Sequence, residues 1–334
     1  ASRLDRELDS KRTAEPTIQV KDLRREYVAR SFFGKTSRVT EALSGISFEV
    51  GRGELFGLIG PNGAGKTTTI KILTTLLSPT SGEARVLGLD VRKDIYEIRK
   101  RIGIVFGGER GLYNRVTAVE NMKYFADLYG VDSNVAKRRI PELVNLVGLR
   151  GREDERVEKY SRGMKQRLHI AKALIHDPEL IFLDEPTIGL DPAGARDIRD
   201  MIREMERQGK TILLTTHYMF EADELCKRVA VISKGKIVAL DTPLGLKKSV
   251  KDISVVLLET YGATSEYVAK LKKIEGVVRV VAELESEKQV IKVQTPNPVD
   301  TLAEITKLSS GIKIIDKSIK EPTLEDAYLR LVEE

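Results

Sequence analysis

Leu55-Phe56-Gly57-Leu58-Ile59-Gly60-Pro61-Asn62-Gly63-Ala64-Gly65-Lys66-Thr67-Thr68 is the stretch that decides how this chain is read. An apolar run of strand length ends in a glycine-rich turn. A helical pattern then runs from Thr67 to Leu77 and stops at the turn cluster Ser78-Pro79-Thr80-Ser81-Gly82. The turn matches G-x-x-x-x-G-K-[ST] between a strand and a helix, the context that gives the match its meaning. Its chemistry is anion binding. Gly60, Gly63 and Gly65, with Asn62 and Ala64 between them, let the backbone curl so that successive N–H groups face phosphate oxygens. The helix N-terminus at Thr67 and Thr68 adds partial positive charge. Lys66 supplies a full charge to β- and γ-phosphates, and the Thr67 hydroxyl is a ligand for Mg²⁺. A ligand-free glycine-rich turn would not require eight fitting positions.

A second apolar run, Leu180-Ile181-Phe182-Leu183, ends in Asp184-Glu185. Ligands of open α/β sheets bind at the carboxyl ends of the strands. Asp184 is placed to hold the Mg²⁺ shell and Glu185 to polarise an attacking water. Without a metal and phosphates such carboxylates would be costly to bury. His217 follows a third apolar run, Thr211–Thr215. A lone histidine is most often structural, but a strand end is within reach of a γ-phosphate.

Around these motifs strands and helices alternate: Ile102–Phe106, Leu180–Asp184, Gly194–Arg207, Thr211–Thr215, Phe220–Cys226, Val229–Ser233. That order argues for an α/β domain with a largely parallel sheet. Residues 117–176 carry helical periodicity, opened by a capping-box pattern at Thr117-Ala118-Val119-Glu120, and read as an insert. Near the N-terminus, strand-like patterns start at Thr17–Val20 and Ile46–Val50, and Arg30–Ser37 between them reads as a hairpin or loop extension. Beyond Lys247 the pattern changes to βαββαβ, the order of a ferredoxin-like module, followed by a helix over Leu324–Val332. The expected division is a polar extension (1–16), an α/β domain (17–247) and a small α+β domain (248–334).

The 334 residues suit two domains, and 41% hydrophobic residues give material for a large core. The net charge of +6 is spread in mixed sign without a dense basic block, which argues against a nucleic-acid partner. No window reaches the roughly 18 apolar residues of a membrane helix, and the first residues lack a signal-like apolar stretch. The single cysteine, Cys226, excludes an internal disulfide framework and a Cys-rich zinc site. Together these point to the cytoplasm, and the mild basicity also suits a protein beside an anionic leaflet.

From Thr17 to about Leu240 these motifs resemble the nucleotide-binding subunit of ATP-binding cassette (ABC) transporters, a phosphate-loop NTPase cassette with a helical insert. The distinguishing segment is Tyr160-Ser161-Arg162-Gly163-Met164, which corresponds to the family's L-S-G-G-Q with Arg162 and Met164 as departures. The resemblance implies that Ser161 and Gly163 touch the γ-phosphate of an ATP held by the other subunit of a head-to-tail homodimer. It implies the same interface for Asp191 in Ile188-Gly189-Leu190-Asp191, and a γ-phosphate role for His217. Tyr27 is the candidate for stacking on adenine, with Phe32 and Phe33 as rivals. ATP and Mg²⁺ are the implied cofactors. A separate integral membrane permease is the implied partner, with the chain held at the inner face of the membrane.

One departure concerns the glutamine that the family carries just after the strand matching Ile102–Phe106. Here the sequence is Gly107-Gly108-Glu109-Arg110-Gly111, and Glu109 is the nearest oxygen-bearing candidate for the metal environment. The signature form, the Phe106–Arg110 turn and the tail Glu321-Pro322-Thr323-Leu324-Glu325-Asp326-Ala327-Tyr328-Leu329 resemble the ATPases of ABC-2-type exporters, such as daunorubicin-resistance and sodium-efflux ATPases. Three alternatives stay open: an importer ATPase with a ligand-binding tail, a soluble ribosome-acting ATPase, and a chromosome or repair ATPase. The last would place a long coiled coil between Lys66 and Ser161, which are only 95 residues apart here.

Overall fold

The computed structural model describes residues 15–29, 38–107, 111–249, 254–285, 288–309 and 312–333. Glu109, Phe32, Phe33 and the stretch 30–37 lie outside the described residues, as does most of the 1–16 extension. The chain divides into two compact units, Ala1–Thr242 and Pro243–Glu334, the division falling before the 247 expected from the sequence.

In the first unit, β1 (Ile18–Ala29) and β2 (Arg38–Val50) pair antiparallel along most of their length. With β4 (Ser81–Val86) and β5 (Leu89–Asp90) they form a four-stranded sheet in the order β2-β1-β4-β5. The two strand-like patterns are therefore parts of one long hairpin. The second sheet contains β3 (Leu55–Ile59), β6 (Ile102–Phe106), β7 (Leu180–Asp184), β8 (Thr211–Thr216), β9 (Arg228–Ser233) and β10 (Lys236–Asp241). Its order is β10-β9-β3-β8-β7-β6, and every pairing except β9–β10 is parallel. β3, β7 and β8 are buried at every position, as near-continuous apolar strands of a covered parallel sheet must be. Phe48 and Phe56 stack with ring centroids 5.5 Å apart, and join Ile18, Ile70, Phe182 and Leu213 in one core.

The helix after the glycine-rich turn, α1 (Lys66–Leu73), ends earlier than its sequence pattern. The Thr74 hydroxyl donates to the Ile70 carbonyl, Thr75 takes a positive φ of 63°, and the N–H groups of Leu76 and Leu77 return to the Lys71 carbonyl. Closing its last carbonyls locally stops the helix before the apolar pattern stops. A short α2 (Ile95–Arg101) precedes β6. Helices α3 (Ala118–Leu128), α4 (Ser133–Leu146) and α5 (Arg162–Leu174) occupy the stretch between β6 and β7. The capping box forms: Thr117 Oγ1 accepts from the Glu120 N–H at 3.1 Å, and Glu120 accepts from the Thr117 N–H at 2.7 Å. α6 (Pro192–Arg207) and α7 (Met219–Leu225) follow β7 and β8. Among the described residues no helix is long and apolar enough to cross a membrane.

The second unit opens with α8 (Pro243–Lys248), which packs on the final helix α11 (Leu324–Glu333) and so belongs here rather than to the first unit. β11 (Ser254–Tyr261), α9 (Ser265–Leu271), β12 (Arg279–Glu285), β13 (Lys288–Thr295), α10 (Pro298–Leu308) and β14 (Lys313–Lys320) follow the βαββαβ order read from the sequence. The sheet is antiparallel, ordered β12-β13-β11-β14, and Leu258, Ile291 and Val293 pack against Tyr267, Leu271 and Ile305 of the two helices. Thr323 and Asp326 in the tail motif have a structural use. Thr323 Oγ1 accepts the Asp326 N–H, and Asp326 accepts from Thr323 and from the buried Gln294 amide at 2.9 Å.

Candidate nucleotide site

The sheet order makes β3, β8 and β7 consecutive neighbours, with Ile59 opposite Thr216 and Thr215 opposite Asp184. Three strands therefore deliver the Gly60–Thr68 turn, His217 and the Asp184-Glu185 pair to one edge, the carboxyl edge. Gly65 caps α1 with φ +117°, and a Cβ there would lie 2.7 Å from Leu43 and 2.9 Å from the Ala42 carbonyl, so only glycine closes this turn.

Lys66 is 4% exposed. Its Nζ donates to the Gly60 carbonyl at 2.7 Å and the Pro61 carbonyl at 3.2 Å, and lies 3.2 Å from Glu185 Oε1. A buried ammonium with two carbonyls and a carboxylate around it is a charge held ready for an anion. The Thr67 hydroxyl donates to Asp184 at 3.0 Å, and the Thr215 hydroxyl donates to the same carboxylate. The other Glu185 oxygen lies 3.2 Å from His217 Nδ1, without hydrogen-bond geometry. Glu185 itself has φ +50°, a left-handed conformation that a non-glycine residue holds only when its surroundings impose it. The imposing contacts are backbone: the Glu185 N–H donates to the Thr215 carbonyl at 3.0 Å, and the Ile188 N–H to the Glu185 carbonyl at 3.2 Å.

Gly107, where the resemblance leads one to expect a glutamine, is fastened to the same turn. Its N–H donates to the Asp184 carbonyl at 2.7 Å, and a Cβ on it would lie 2.8 Å from the Glu185 carbonyl oxygen. In this backbone a glutamine has no room at 107.

The remaining sequence candidates lie elsewhere. Ser161 is exposed and caps α5, accepting the Met164 N–H at 3.2 Å; Gly163 is the second residue of the helix, and a Cβ on it would meet only Ser161 Oγ, at 4.0 Å. Asp191 is exposed at the start of α6. The Arg162 guanidinium lies over Gly189, bringing the signature segment and the 188–191 turn together. Tyr27 is on β1, partly exposed, with the Arg25 guanidinium 4.8 Å from its ring centroid. The structure adds residues that the sequence pattern did not single out: Thr215, Thr187, Thr216 and Glu221, all buried.

Two buried groups are set aside by their surroundings. Burial pushes the Cys226 thiol well above its ordinary value, which leaves no thiolate for chemistry. Burial, with Lys172 nearby, drives His169 down to about 4 and keeps its imidazole neutral.

A parallel sheet that presents a glycine-rich anion turn, a hydroxyl–carboxylate pair and a second carboxylate at one edge is the build of a phosphate-loop nucleotide-binding protein. The ABC transporter family model matches residues 43–188. The linearmycin resistance ATP-binding protein LnrL of Bacillus subtilis is 34% identical over 311 residues, covering 92% of this chain and 97% of the relative. The daunorubicin resistance ATP-binding protein DrrA2 of Streptomyces coeruleorubidus is 38% identical over 298 residues, covering 87% and 90%. A solved ATP-binding subunit of an ABC transporter superposes with a TM-score of 0.61 at 30% identity, covering 70% of this chain and 92% of that one. The chain belongs to the ATP-binding subunits of the ABC transporter family, and it is an ATPase.

Proposed function

We propose that this chain powers an ABC-2-type exporter by binding and hydrolysing ATP, working as a head-to-tail homodimer on a separate permease at the inner face of the membrane. The observation that carries the chemistry is Glu185, held between Lys66 and His217 beside the Thr67–Asp184 pair. The turn from Gly60 to Thr68 takes the phosphates on its N–H groups, and Lys66 exchanges its carbonyl partners for β- and γ-oxygens. Glu185 accepts a proton from the attacking water, and His217 faces the γ-phosphate. Thr67 and Asp184 offer a hydroxyl and a carboxylate oxygen, the hard, sparse donor set that Mg²⁺ takes when it keeps waters and phosphates as its other ligands. Bound there, Mg²⁺ would neutralise phosphate charge. Ser161, Gly163 and Asp191 would act on the partner subunit's nucleotide, which fits the exposure of Ser161 and Asp191. Export rather than import is favoured because the two resistance proteins align over 92% and 87% of this chain, beyond the cassette alone.

The test is a pair of variants. Lys66→Ala loses ATP binding. Glu185→Gln keeps ATP binding, loses turnover by a hundredfold or more, and accumulates an ATP-bound dimer in light scattering. Turnover at the wild-type rate in Glu185→Gln would refute the role of Glu185. Purification from detergent extracts with a polytopic membrane protein lacking its own cassette checks the partner.

A further inference from the structure

One buried carboxylate at the site has no part in the chemistry above. Glu221 in α7 is 3% exposed. Its Oε2 accepts the Thr216 hydroxyl at 2.9 Å, and its Oε1 accepts the Thr187 hydroxyl. Arg199 of α6 places Nη1 3.9 Å from Oε1, a nearby countercharge. Thr216 Oγ1 also accepts the Tyr218 N–H at 2.9 Å, so its hydroxyl hydrogen is committed to Glu221. Thr187 is two residues after Glu185, and Thr216 immediately precedes His217. A single carboxylate thus ties the turn that carries Glu185 to the strand end that carries His217, and those two side chains face each other at 3.2 Å. For packing alone a carboxylate is a poor choice, because its desolvation outweighs what an apolar side chain of the same size would cost.

We infer that Glu221 is a positioning residue for hydrolysis: through the Thr187 and Thr216 hydroxyls it fixes the spacing of Glu185 and His217. The inference rests on the roles proposed for those two residues. It assigns Glu221 to the hydrolytic step and leaves ATP binding to the Gly60–Thr68 turn, which Glu221 does not touch.

The experiment compares full-length Glu221→Ala, Glu221→Gln, Thr187→Val and Thr216→Val in steady-state ATPase and equilibrium ATP binding. Glu221→Ala is expected to lower kcat tenfold or more, with KM and the Kd for ATP within twofold of wild type. Glu221→Gln restores part of the rate, because its carbonyl oxygen still accepts one hydroxyl. Each valine variant lowers kcat, and neither lowers it further in the Glu221→Ala background. In the Glu185→Gln background, Glu221→Ala costs no additional turnover, since the group it positions is gone. Wild-type kcat in folded Glu221→Ala and Thr216→Val overturns the inference. So does an equal loss from Glu221→Ala with and without Glu185, or a KM that moves as far as kcat. If Glu221→Ala does not fold, the isosteric valine variants and Glu221→Gln decide alone. Wild-type turnover in Glu185→Gln would remove the reading beneath the inference as well; an inactive Glu185→Gln beside wild-type positioning variants removes the inference only.

Discussion

Adding one methyl group at Gly107 tests whether the backbone of the catalytic turn is held by close packing. In Gly107→Ala the new Cβ would stand 2.8 Å from the Glu185 carbonyl oxygen, 2.9 Å from Ile188 Cγ2 and 3.1 Å from the Asp184 carbonyl oxygen. Ordinary contact begins near 3.4 Å, so about 0.6 Å must be found. The Ile188 side chain can rotate away, but the two carbonyls belong to the turn itself and to the bond that the Gly107 N–H makes. Overpacking of this kind costs about 1–3 kcal/mol, which lowers the Tm of a unit this size by roughly 2–4 °C per kcal/mol. A misplacement of about 1 Å costs on the order of a hundredfold in rate, so a shift of roughly half that predicts a loss of about tenfold. ATP affinity should stay as it is, because the three atoms nearest the new methyl belong to Glu185, Ile188 and Asp184 and none to Gly60–Thr68. The assay is kcat at saturating ATP and Mg²⁺, with equilibrium ATP binding and a thermal melt alongside. Wild-type kcat and Tm in Gly107→Ala would refute the reasoning. Gly107→Gln, which supplies the side chain usual at this position, is expected to do worse still.

The other expectations concern stability and autonomy. Truncation after Thr242 should give a folded unit that binds ATP, read by its melt and by nucleotide titration; a folded truncation unable to bind would refute the division. His169 has a folded pKa of about 4, below the ordinary 6.5, so the unfolded chain binds its proton first as pH falls. This contribution is complete above about pH 6.5 and is lost on the way down to pH 4, to a limit of about 3 kcal/mol. Denaturant midpoints measured across that window should therefore fall less in His169→Gln than in wild type. Asp326→Ala leaves the buried Gln294 amide unpaired and removes the acceptor for Thr323, a loss of about 2–4 kcal/mol. Calorimetry should show it in the second unit, with ATP binding unchanged.

The phosphate turn and the strand-end acids were legible because each needs a local pattern that the chain states outright: apolar runs, glycines at fixed offsets, then charge. The structure sets Glu185 between Lys66 and His217, and hydrogen-bonds Thr67 to Asp184. The full length of the β1–β2 pairing was hidden, because Leu23-Arg24-Arg25-Glu26 breaks alternation where the pairing itself shifts register. β10 was hidden for another reason: its residues are nowhere fully buried, so no apolar face marks it. The division at Thr242 was misplaced because the Leu244–Lys248 pattern reads equally well as the end of one unit or the start of the next, and only its packing on α11 decides. Glu221 lay beyond sequence reasoning altogether. Its partners come from two other chain segments, and nothing local distinguishes it from the solvated Glu224 three residues on.

The departures from the family's usual pattern meet on one segment. Gly107, where the family resemblance leads one to expect a glutamine, closes against the backbone of Asp184 and Glu185 from the β6 side. Arg162, where the family resemblance leads one to expect a glycine, lays its guanidinium over Gly189 from the signature side. Between them runs Asp184–Asp191, the stretch that holds a strained Glu185 and is tied again through Thr187 to Glu221. The Gly107 N–H and the Asp184 carbonyl, 2.7 Å apart, therefore join the end of β6 to this segment by a direct main-chain contact.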